Sequence, residues 1–242
     1  MSDFHERTRI LVGDEGIETL ANQHVLVAGL GGVGGACAEA LARAGIGRMT
    51  ILDHDTISPS NINRQVVALH STVGQPKAEV LGERLKDINP ELDLTSLPMF
   101  LRPDAAEALI HENDYDFVLD CIDSIACKAA LVTACLENDV PVASSMGAGG
   151  RLDATQARVT RLDRTRNCGL AREMRKRLRR QGITLKYPVV YSPETPVKAL
   201  PHQPIDNDPT GRPRAVNGTI SYMPNLFGMM LAGHVIREML EG

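Results

Sequence analysis

The chain has 242 residues, of which 43% are hydrophobic and 23% charged, so it can bury a core and is neither disordered nor fibrous. No stretch of 18 uncharged apolar residues occurs, and no basic segment followed by an apolar one opens the chain, so we expect neither stable membrane insertion nor a secretory signal. The five cysteines form no CxxC pair, which excludes the usual zinc spacing and indicates reduced thiols in the cytoplasm.

The first 150 residues alternate short apolar runs with helical patterns, which is typical of a parallel sheet covered by helices. Strands are predicted at 24–29, 49–53, 93–97, 117–121 and 142–145. Helices are predicted at 34–44, 76–88, 103–112 and 124–138. The predicted fold class is therefore α/β, with a Rossmann-like, mostly parallel sheet and helices on both of its faces.

Residues 151–242 form a C-terminal extension in which this pattern changes. We expect a strand at 157–162, a strongly basic helix at 170–181 and a final helix at 224–240. Six prolines between 193 and 213 predict a long loop without regular structure. Residues 1–150 are interpreted as a nucleotide-binding core and residues 1–242 as a single domain. The Met- and Leu-rich final helix fits a core or dimer contact, with contact to a membrane surface as an alternative.

Positive charge is concentrated in the extension. Residues 158–186 contain eleven Lys or Arg and two acids, a net charge of +9, so the rest of the chain carries −13 of the total of −4. A basic segment on an otherwise acidic protein indicates a polyanionic partner, and a solvated helix face explains the same charge equally well.

A glycine motif suits phosphate binding at the start of the first predicted helix. Its glycines, between a strand and a helix, let the backbone approach a phosphate, and the helix N-terminus offers unpaired N–H groups. Asp53 ends the second strand, where a carboxylate can accept hydrogen bonds from a ribose. This motif alone does not separate NAD from ATP. The glycines that it places at the nucleotide are Gly29, Gly31, Gly32 and Gly34.

Polar side chains that suit a nucleoside triphosphate follow in the next segments. Adenylation concentrates negative charge on the α-phosphate and the departing pyrophosphate, and Arg, Lys and Mg²⁺ stabilise that charge. Arg64 and Lys77 are the candidate catalytic cations, and Asp123, just beyond a strand, is the candidate catalytic ligand for Mg²⁺. Further candidates for contact with the nucleotide are Asp55, Asn61 and Gln65.

Each of these side chains also has a structural interpretation. Arg64 fits a surface cation, Lys77 a solvated helix residue, and Asp123 the residue that caps the next helix. Asp55 fits either a partner that orients Arg64 or a cap of the turn after its strand. Their order behind one glycine motif favours a nucleotide site.

This succession of motifs resembles the ThiF/MoeB superfamily of ubiquitin-activating-like adenylyltransferases. The resemblance covers residues 7–150 and rests on GxGGVG, DxD, SNxNRQ, the lysine at 77 and DxxD, in that order. It implies Mg²⁺ at Asp123 and a homodimer in which Arg7, or alternatively Arg9, reaches the ATP of the partner subunit. The ATP contacts that it implies are Gly31, Asp53, Asn61, Arg64 and Lys77.

One branch of the superfamily is more similar than the others. Members that activate sulfur-carrier proteins usually hold zinc through two CxxC pairs, which this chain lacks. The similarity is greatest to the branch that dehydrates threonylcarbamoyladenosine in tRNA, through residues 61–65, 70–74, 145–150 and 170–182. It implies that ATP activates the threonyl carboxylate, which is then cyclised with loss of water, and that tRNA phosphates meet the basic helix.

Several alternatives stay open. The chain fits an adenylyltransferase that acts on the C-terminal Gly-Gly of a ubiquitin-like sulfur carrier, whereas an NAD(P) oxidoreductase is opposed by the cations at 64 and 77. If the chain were a non-catalytic nucleotide sensor, those two cations would have no function. Cys168, near a predicted helix start, fits a structural cysteine better than a nucleophile. A cysteine desulfurase or sulfur acceptor as partner, and a monovalent cation (Na⁺ or K⁺) near the glycine turn, are also open.

Overall fold

The computed structural model describes residues 4–198 and 218–241. Within them, seven strands form one sheet: β1 (His24–Ala28), β2 (Arg48–Leu52), β3 (Asp93–Leu97), β4 (Phe117–Asp120), β5 (Val142–Ser145), β6 (Arg158–Arg161) and β7 (Pro188–Tyr191). The strand order is β3–β2–β1–β4–β5–β7–β6. Only β6 runs antiparallel to its neighbour in this described sheet. The predicted Rossmann-like, mostly parallel sheet is confirmed.

Seven α-helices surround the sheet in the same part of the chain: α1 (Glu6–Ala21), α2 (Gly32–Ala44), α3 (Lys77–Ile88), α4 (Ala106–His111), α5 (Ile125–Glu137), α6 (Gly169–Arg180) and α7 (Tyr222–Glu241). Every helix and strand predicted from the sequence is present, with bounds that differ by three residues or fewer. Gly45 ends α2 in the left-handed conformation, with φ of 97°, as a glycine C-cap does.

The two faces of the sheet carry separate hydrophobic cores. Val25 and Val27 of β1 lie in the core that includes α2, α3 and α7. Leu26 and Ala28 lie in the opposite core, with α4, α5 and α6. Because successive side chains of a strand point to opposite faces, a strand buried on both faces is a continuous apolar run. This burial explains the apolar runs from which the strands were predicted.

The final helix packs into the core. α7 makes its most extensive contacts with α2, and its Phe227, Leu231 and Val235 are fully buried. The predicted core contact is therefore confirmed for these side chains. None of the described helices is long and apolar enough to cross a membrane.

Two elements have no counterpart in the sequence prediction. In α1, Ile10 and Leu11 are exposed while Leu20 is buried, and Gly13 interrupts the helix with φ of 73°, so no regular apolar stripe marks it. β7 has four residues and begins with Pro188, a position where a strand tolerates proline. Of the predicted loop at 193–213, residues 193–198 contain neither helix nor strand, and its remainder from 199 lies outside the described residues.

Candidate nucleotide site

A cleft of about 610 Å³ opens at the carboxyl ends of β1, β2, β4 and β5. β1 and β4 are neighbours, and the chain leaves them toward opposite sides of the sheet, which is where open α/β sheets bind ligands. Of the twelve residues predicted to contact the nucleotide, the ten that line this cleft are Gly29, Gly31, Gly32, Asp53, Asp55, Asn61, Arg64, Gln65, Lys77 and Asp123.

The turn after β1 presents backbone groups to the cleft. Gly29 has φ of 87°, and a Cβ there would lie 2.9 Å from the backbone of Cys121. Gly34 lies beneath the cleft surface, and a Cβ there would lie 1.7 Å from the carbonyl oxygen of Gly29, so only glycine allows this approach. The N-cap residue of α2 is Gly31, which has no side chain, so no side chain at this position satisfies the first N–H groups of the helix. These N–H groups are therefore suited to bind an anion.

Asp53 fixes this glycine turn from the end of β2. Its Oδ2 accepts a hydrogen bond from the N–H of Leu30 at 2.6 Å, and its Oδ1 accepts one from the N–H of Asp55 at 2.8 Å. The carboxylate is buried at the edge of the cleft. This position suits contact with a ribose, which stays a prediction.

Asp55 and Lys77 form an ion pair in the cleft wall. Lys77 Nζ lies 2.8 Å from Asp55 Oδ2, and the N–H of Lys77 donates to the carbonyl oxygen of Asp55 at 3.0 Å. The Lys77 side chain is 6% exposed, so its interpretation as a solvated helix residue is wrong. The interpretation of Asp55 as the partner of Arg64 is also wrong. Because a buried ammonium needs a partner, Asp55 holds Lys77 at the cleft.

Asp53, His54 and Asp55 bring one metal-ligand atom each to within 4.8 Å of one another. Both carboxylates already have protein partners, Leu30 for Asp53 and Lys77 for Asp55. A cation bound by all three would compete with the buried ammonium. The cluster is therefore a weaker candidate for Mg²⁺ than a carboxylate without such a partner.

The next polar side chains follow a single 3₁₀ turn, Pro59–Asn61. Asn61 Oδ1 accepts a backbone N–H at 3.1 Å, which fixes the turn. Arg64 Nη1 donates to the carbonyl oxygen of Ser60 and to Asn63 Oδ1, both at 2.8 Å, and no carboxylate of the described residues pairs with it. Burial lowers the pKa of Arg64 from its ordinary value, yet a guanidinium stays charged at neutral pH. Arg64 is half-buried, so its interpretation as a surface cation is wrong.

Gln65 adds a buried polar atom to the cleft wall near Gly31. Its Oε1 has no hydrogen-bond partner within residues 4–198 and 218–241. Asn225 of α7 donates from Nδ2 to the carbonyl oxygen of Arg64 at 3.1 Å, which connects the final helix to this wall. Buried polar atoms without a partner are uncommon, so Gln65 indicates a bound molecule or water here.

Asp123 lies in the turn between β4 and α5. It is exposed, lines the cleft, and makes no hydrogen bond or ion pair with any residue that the structure describes. The N-cap of α5 is Ser124, so the interpretation of Asp123 as the helix cap is wrong. Asp123 is therefore free to act as an oxygen ligand for a hard cation such as Mg²⁺.

A buried ion pair supports this turn, and sequence reasoning did not predict it. Lys128 Nζ lies 2.8 Å from Asp120 Oδ2, and both side chains are fully buried. Lys128 also donates to the carbonyl oxygen of Ile122 at 3.0 Å, and Ser144 donates to Asp120 at 2.6 Å. Burial raises the pKa of Asp120, and Lys128 and Ser144 limit the rise. Asp120 and Lys128 are eight residues apart, on either side of the end of β4, and no sequence motif with this spacing indicates an ion pair.

The cleft is also lined by residues 145–149, which we call the β5 wall, and by Leu170 of α6. A Cβ on Gly147 would lie 3.8 Å from Cys168 Sγ. Cys168 is the N-cap of α6, is buried, and is not among the residues that line the cleft. Its position fits a packing residue, as the sequence indicates.

α6 begins at the β5 wall and exposes its cations. Ala171, Met174 and Leu178 are buried on one side of the helix. The basic face, as we call the exposed cations of the helix, consists of Arg172, Lys176, Arg177, Arg179 and Arg180. Since Leu170 lines the cleft, this positive surface begins at the cleft rim.

Arg7 lies elsewhere, on α1. Its side chain is exposed and is not among the residues that line the cleft of its own chain. Arg9, the alternative, pairs with Asp14 on the same helix. The reach of Arg7 into a partner subunit stays a prediction.

The cleft residues fit a nucleoside triphosphate with a divalent cation. The uncapped start of α2 and the glycine turn suit phosphate oxygens, and Arg64 and Lys77 supply positive charge. Asp123 supplies an oxygen ligand, and Gln65 Oε1 is a buried atom that a bound molecule would satisfy. These groups follow β1, β2 and β4 or lie at the start of α2 and α3, and the β5 wall lines the same cleft at the end of the strand next to β4.

Known proteins resemble this chain along its whole described length. The model of the ThiF family matches residues 5–241. The chain is 36% identical over 241 residues to a tRNA threonylcarbamoyladenosine dehydratase of Bacillus subtilis (strain 168), which covers 97% of this chain and 94% of the relative. It is 42% identical over 139 residues to a molybdopterin-synthase adenylyltransferase of Escherichia coli (strain K12), covering 57% of this chain and 54% of the relative.

A solved structure has the same fold. It is the crystal structure of E. coli tRNA N6-threonylcarbamoyladenosine dehydratase, TcdA, in complex with ATP. The TM-score is 0.85 at 36% sequence identity, and the match covers 97% of this chain and 93% of that chain.

Proposed function

Because the chain belongs to the ThiF family, we propose that it is an ATP-dependent enzyme that dehydrates threonylcarbamoyladenosine in tRNA. It binds ATP in the cleft at the ends of β1, β2 and β4. The threonyl carboxylate of the modified adenosine is activated there, and the neighbouring carbamoyl group closes a ring with net loss of water.

One observation carries this proposal. The glycine turn, two cations and an unpaired carboxylate line one cleft, and the basic face of α6 begins at the rim of that same cleft. Exposed cations near the cleft have a direct use when the substrate is one nucleoside within a polyanion, because Lys and Arg bind its phosphates. They have no such use for the small substrate of a kinase or an oxidoreductase.

The chain's own residues suit the charge changes of carboxylate activation. ATP, when bound, supplies the leaving group that carries away one carboxylate oxygen. Arg64 and Lys77, the proposed catalytic cations, lie where they can stabilise charge that moves onto the phosphates. Arg64 has only neutral oxygen partners among the described residues, so its charge is available to phosphate.

Metal binding is assigned to Asp123. Its carboxylate lines the cleft without a protein partner in the described chain, and a magnesium ion commonly uses one or two carboxylates together with substrate phosphates. The rest of the proposed nucleotide contacts are Gly29, Gly31, Gly32, Asp53, Asp55, Asn61 and Gln65, with Gly34 shaping the turn beneath them.

Assembly and location belong to the same proposal. We infer a homodimer in which Arg7, exposed on α1 and not among the residues that line its own cleft, reaches the ATP of the partner subunit. The chain functions in the cytoplasm as one domain. We further propose a sulfur-transfer partner and a monovalent cation at the glycine turn. Direct binding assays, one for each, test these two proposals.

A second candidate function is the activation of a ubiquitin-like sulfur carrier at its C-terminal Gly-Gly. The similarity to a molybdopterin-synthase adenylyltransferase favours it, because the nucleotide half of the chain suits both reactions. The missing CxxC pairs and the basic face oppose it.

Mass spectrometry of nucleosides tests the proposal. Threonylcarbamoyl-modified tRNA is incubated with the protein and Mg·ATP, with parallel reactions that lack ATP or contain the Arg64→Ala variant. We expect an ATP-dependent loss of one water from the modified adenosine in the complete reaction alone. No change in mass, with ATP binding demonstrated, would refute the tRNA substrate. Pyrophosphate exchange that depends on a Gly-Gly carrier protein would then support the second candidate.

A further inference from the structure

Arg151 is a buried cation directly behind the β5 wall. Only 3% of the surface of Arg151 is exposed. Nε donates to the carbonyl oxygen of Gly147 at 3.0 Å, Nη2 donates to that of Asn167 at 3.2 Å, and Nη1 donates to that of Glu194. No carboxylate of the described residues forms an ion pair with it. A buried charge is costly when no opposite charge lies within ion-pair distance, so such an arrangement calls for a reason beyond packing.

The three carbonyl groups belong to three separate segments. Gly147 is part of the β5 wall, and Asn167 immediately precedes Cys168, the N-cap of α6. Asn167 has φ of 54°, a left-handed conformation that asparagine tolerates and that turns the chain into the helix. Glu194 follows β7. Arginine suits this position because the donors of its planar guanidinium are spread over three nitrogens in a rigid fork, so they can bind three carbonyl groups at once.

The same three segments are joined by further hydrogen bonds around Arg151. The Glu194 carboxylate accepts the N–H groups of Leu152 and Asp153, at 3.1 and 3.0 Å. Asn167 Nδ2 donates to the carbonyl oxygen of Pro193 at 2.9 Å. The backbone that directly follows Arg151 is therefore anchored on Glu194, whose carbonyl group the Arg151 side chain also contacts, and this helps to fix the guanidinium in place.

We propose that Arg151 is a positioning residue for the tRNA substrate. It fixes the position of the β5 wall at Gly147 relative to the start of α6. The nucleoside in the cleft and the tRNA backbone on the basic face are then bound at a fixed distance and orientation from each other. The proposal rests on the proposed tRNA dehydration. Arg151 is not among the residues that line the cleft, so it acts through the wall and the helix.

The test compares Arg151→Met and Arg151→Lys with a matched control, Lys86→Met. Lys86 is an exposed cation that likewise donates to backbone carbonyls, those of Pro90 and Leu92, and it is remote from the cleft. Three quantities are measured: the Kd for ATP, kcat/KM for modified tRNA, and amide hydrogen exchange in peptides that cover residues 147–153 and 168–172.

For both Arg151 variants we expect the Kd for ATP to stay within about twofold and kcat/KM for tRNA to fall about 100-fold, the effect of a small misplacement of reacting groups. We expect Arg151→Lys to behave like Arg151→Met, because the single nitrogen of lysine does not reproduce the rigid fork of separated donors by which the guanidinium reaches three segments. Exchange rises in both peptides. Lys86→Met changes none of the three quantities.

Two outcomes overturn the role of Arg151 alone, with an active wild-type enzyme. In one, kcat/KM for tRNA is unchanged in both variants. In the other, ATP affinity and tRNA turnover fall together, which indicates general destabilisation rather than positioning. A wild-type protein that binds ATP and leaves modified tRNA unchanged refutes the proposed function itself, and the role of Arg151 with it.

Discussion

The two sides of the cleft are built in different ways. At the ends of β1, β2 and β4, the nucleotide wall, charged side chains reach the cleft directly, and their partners are close: Asp53 holds Leu30, and Asp55 holds Lys77. The β5 wall presents no charged side chain to the cleft, and the charge lies behind it in Arg151, whose partners extend to Glu194.

This difference assigns separate tasks to the two walls. In the proposed function the nucleotide wall presents its charges to the phosphates and the metal, so changes there should affect every reaction that uses ATP. The β5 wall and α6 are proposed to position a large substrate, so changes there should leave ATP binding intact.

The largest effect is expected at Arg64. Replacing it with alanine removes a cation from the nucleotide wall and should lower kcat by about 10³-fold, the scale found when a group that stabilises transition-state charge is removed. Arg64→Lys keeps the charge and should recover part of the loss. Single-turnover kinetics with saturating ATP and tRNA measure both variants. Turnover by Arg64→Ala close to that of the wild type would remove Arg64 from the mechanism.

A somewhat smaller effect is expected at Asp123. Asp123→Asn weakens the oxygen ligand for Mg²⁺ without changing its size, so the Mg²⁺ concentration for half-maximal activity should rise about tenfold or more. Titrating Mg²⁺ at fixed ATP measures this change. An unchanged Mg²⁺ requirement would transfer the metal to another site, for which the Asp53–His54–Asp55 cluster is the first candidate.

The basic face should show the opposite selectivity. Replacing Arg177 and Arg180 with glutamine removes two exposed cations and should raise the KM for tRNA about tenfold, with the Kd for ATP unchanged. The slope of log affinity for tRNA against log salt concentration should become shallower by about one unit for each cation that contacts phosphate. An unchanged slope would mean that this face is merely solvated.

The smallest effect concerns stability at the other end of the sheet. His24 begins β1, and its Nδ1 donates to the carbonyl oxygen of Asp114 while Nε2 meets Thr50 Oγ1. Burial, and then Arg48, lower the pKa of His24 below 6.5. The unfolded chain therefore binds a proton more readily, and the free energy of unfolding should fall as pH decreases below about 6.5.

Denaturant unfolding at pH 7.5 and 5.5 measures this dependence. His24→Gln should be less stable than the wild type at pH 7.5 but should lose less stability on acidification. Its kcat/KM at pH 7.5 should match the wild type, because His24 is the first residue of β1 and the cleft lies beyond the last. An equal pH dependence in both proteins would mean that other groups, such as His234, dominate it.

The difference between the two walls also explains which parts of the site could be predicted from the sequence. That most polar residues of the nucleotide wall gather at one cleft could be predicted, because their side chains follow strand ends and the carboxyl ends of parallel strands meet at one edge. Their contact with a nucleotide stays a prediction. Arg151 and the Asp120–Lys128 pair were not predicted. Their partners are backbone carbonyls or residues of other elements, and neither leaves a periodic or motif-like trace. α1 and β7 were missed for a similar reason, since contacts with the rest of the fold stabilise them more than local pattern does.

The buried Asp120–Lys128 pair restricts how this protein can change over generations. Losing either partner alone leaves an uncompensated charge in the core, at a cost of about 3–5 kcal/mol, a large part of the stability of an ordinary domain. Replacing both with apolar residues of similar volume is often neutral. The two positions are thus separated from that apolar solution by an unstable intermediate. A lineage reaches it only by simultaneous substitution or after gaining stability elsewhere.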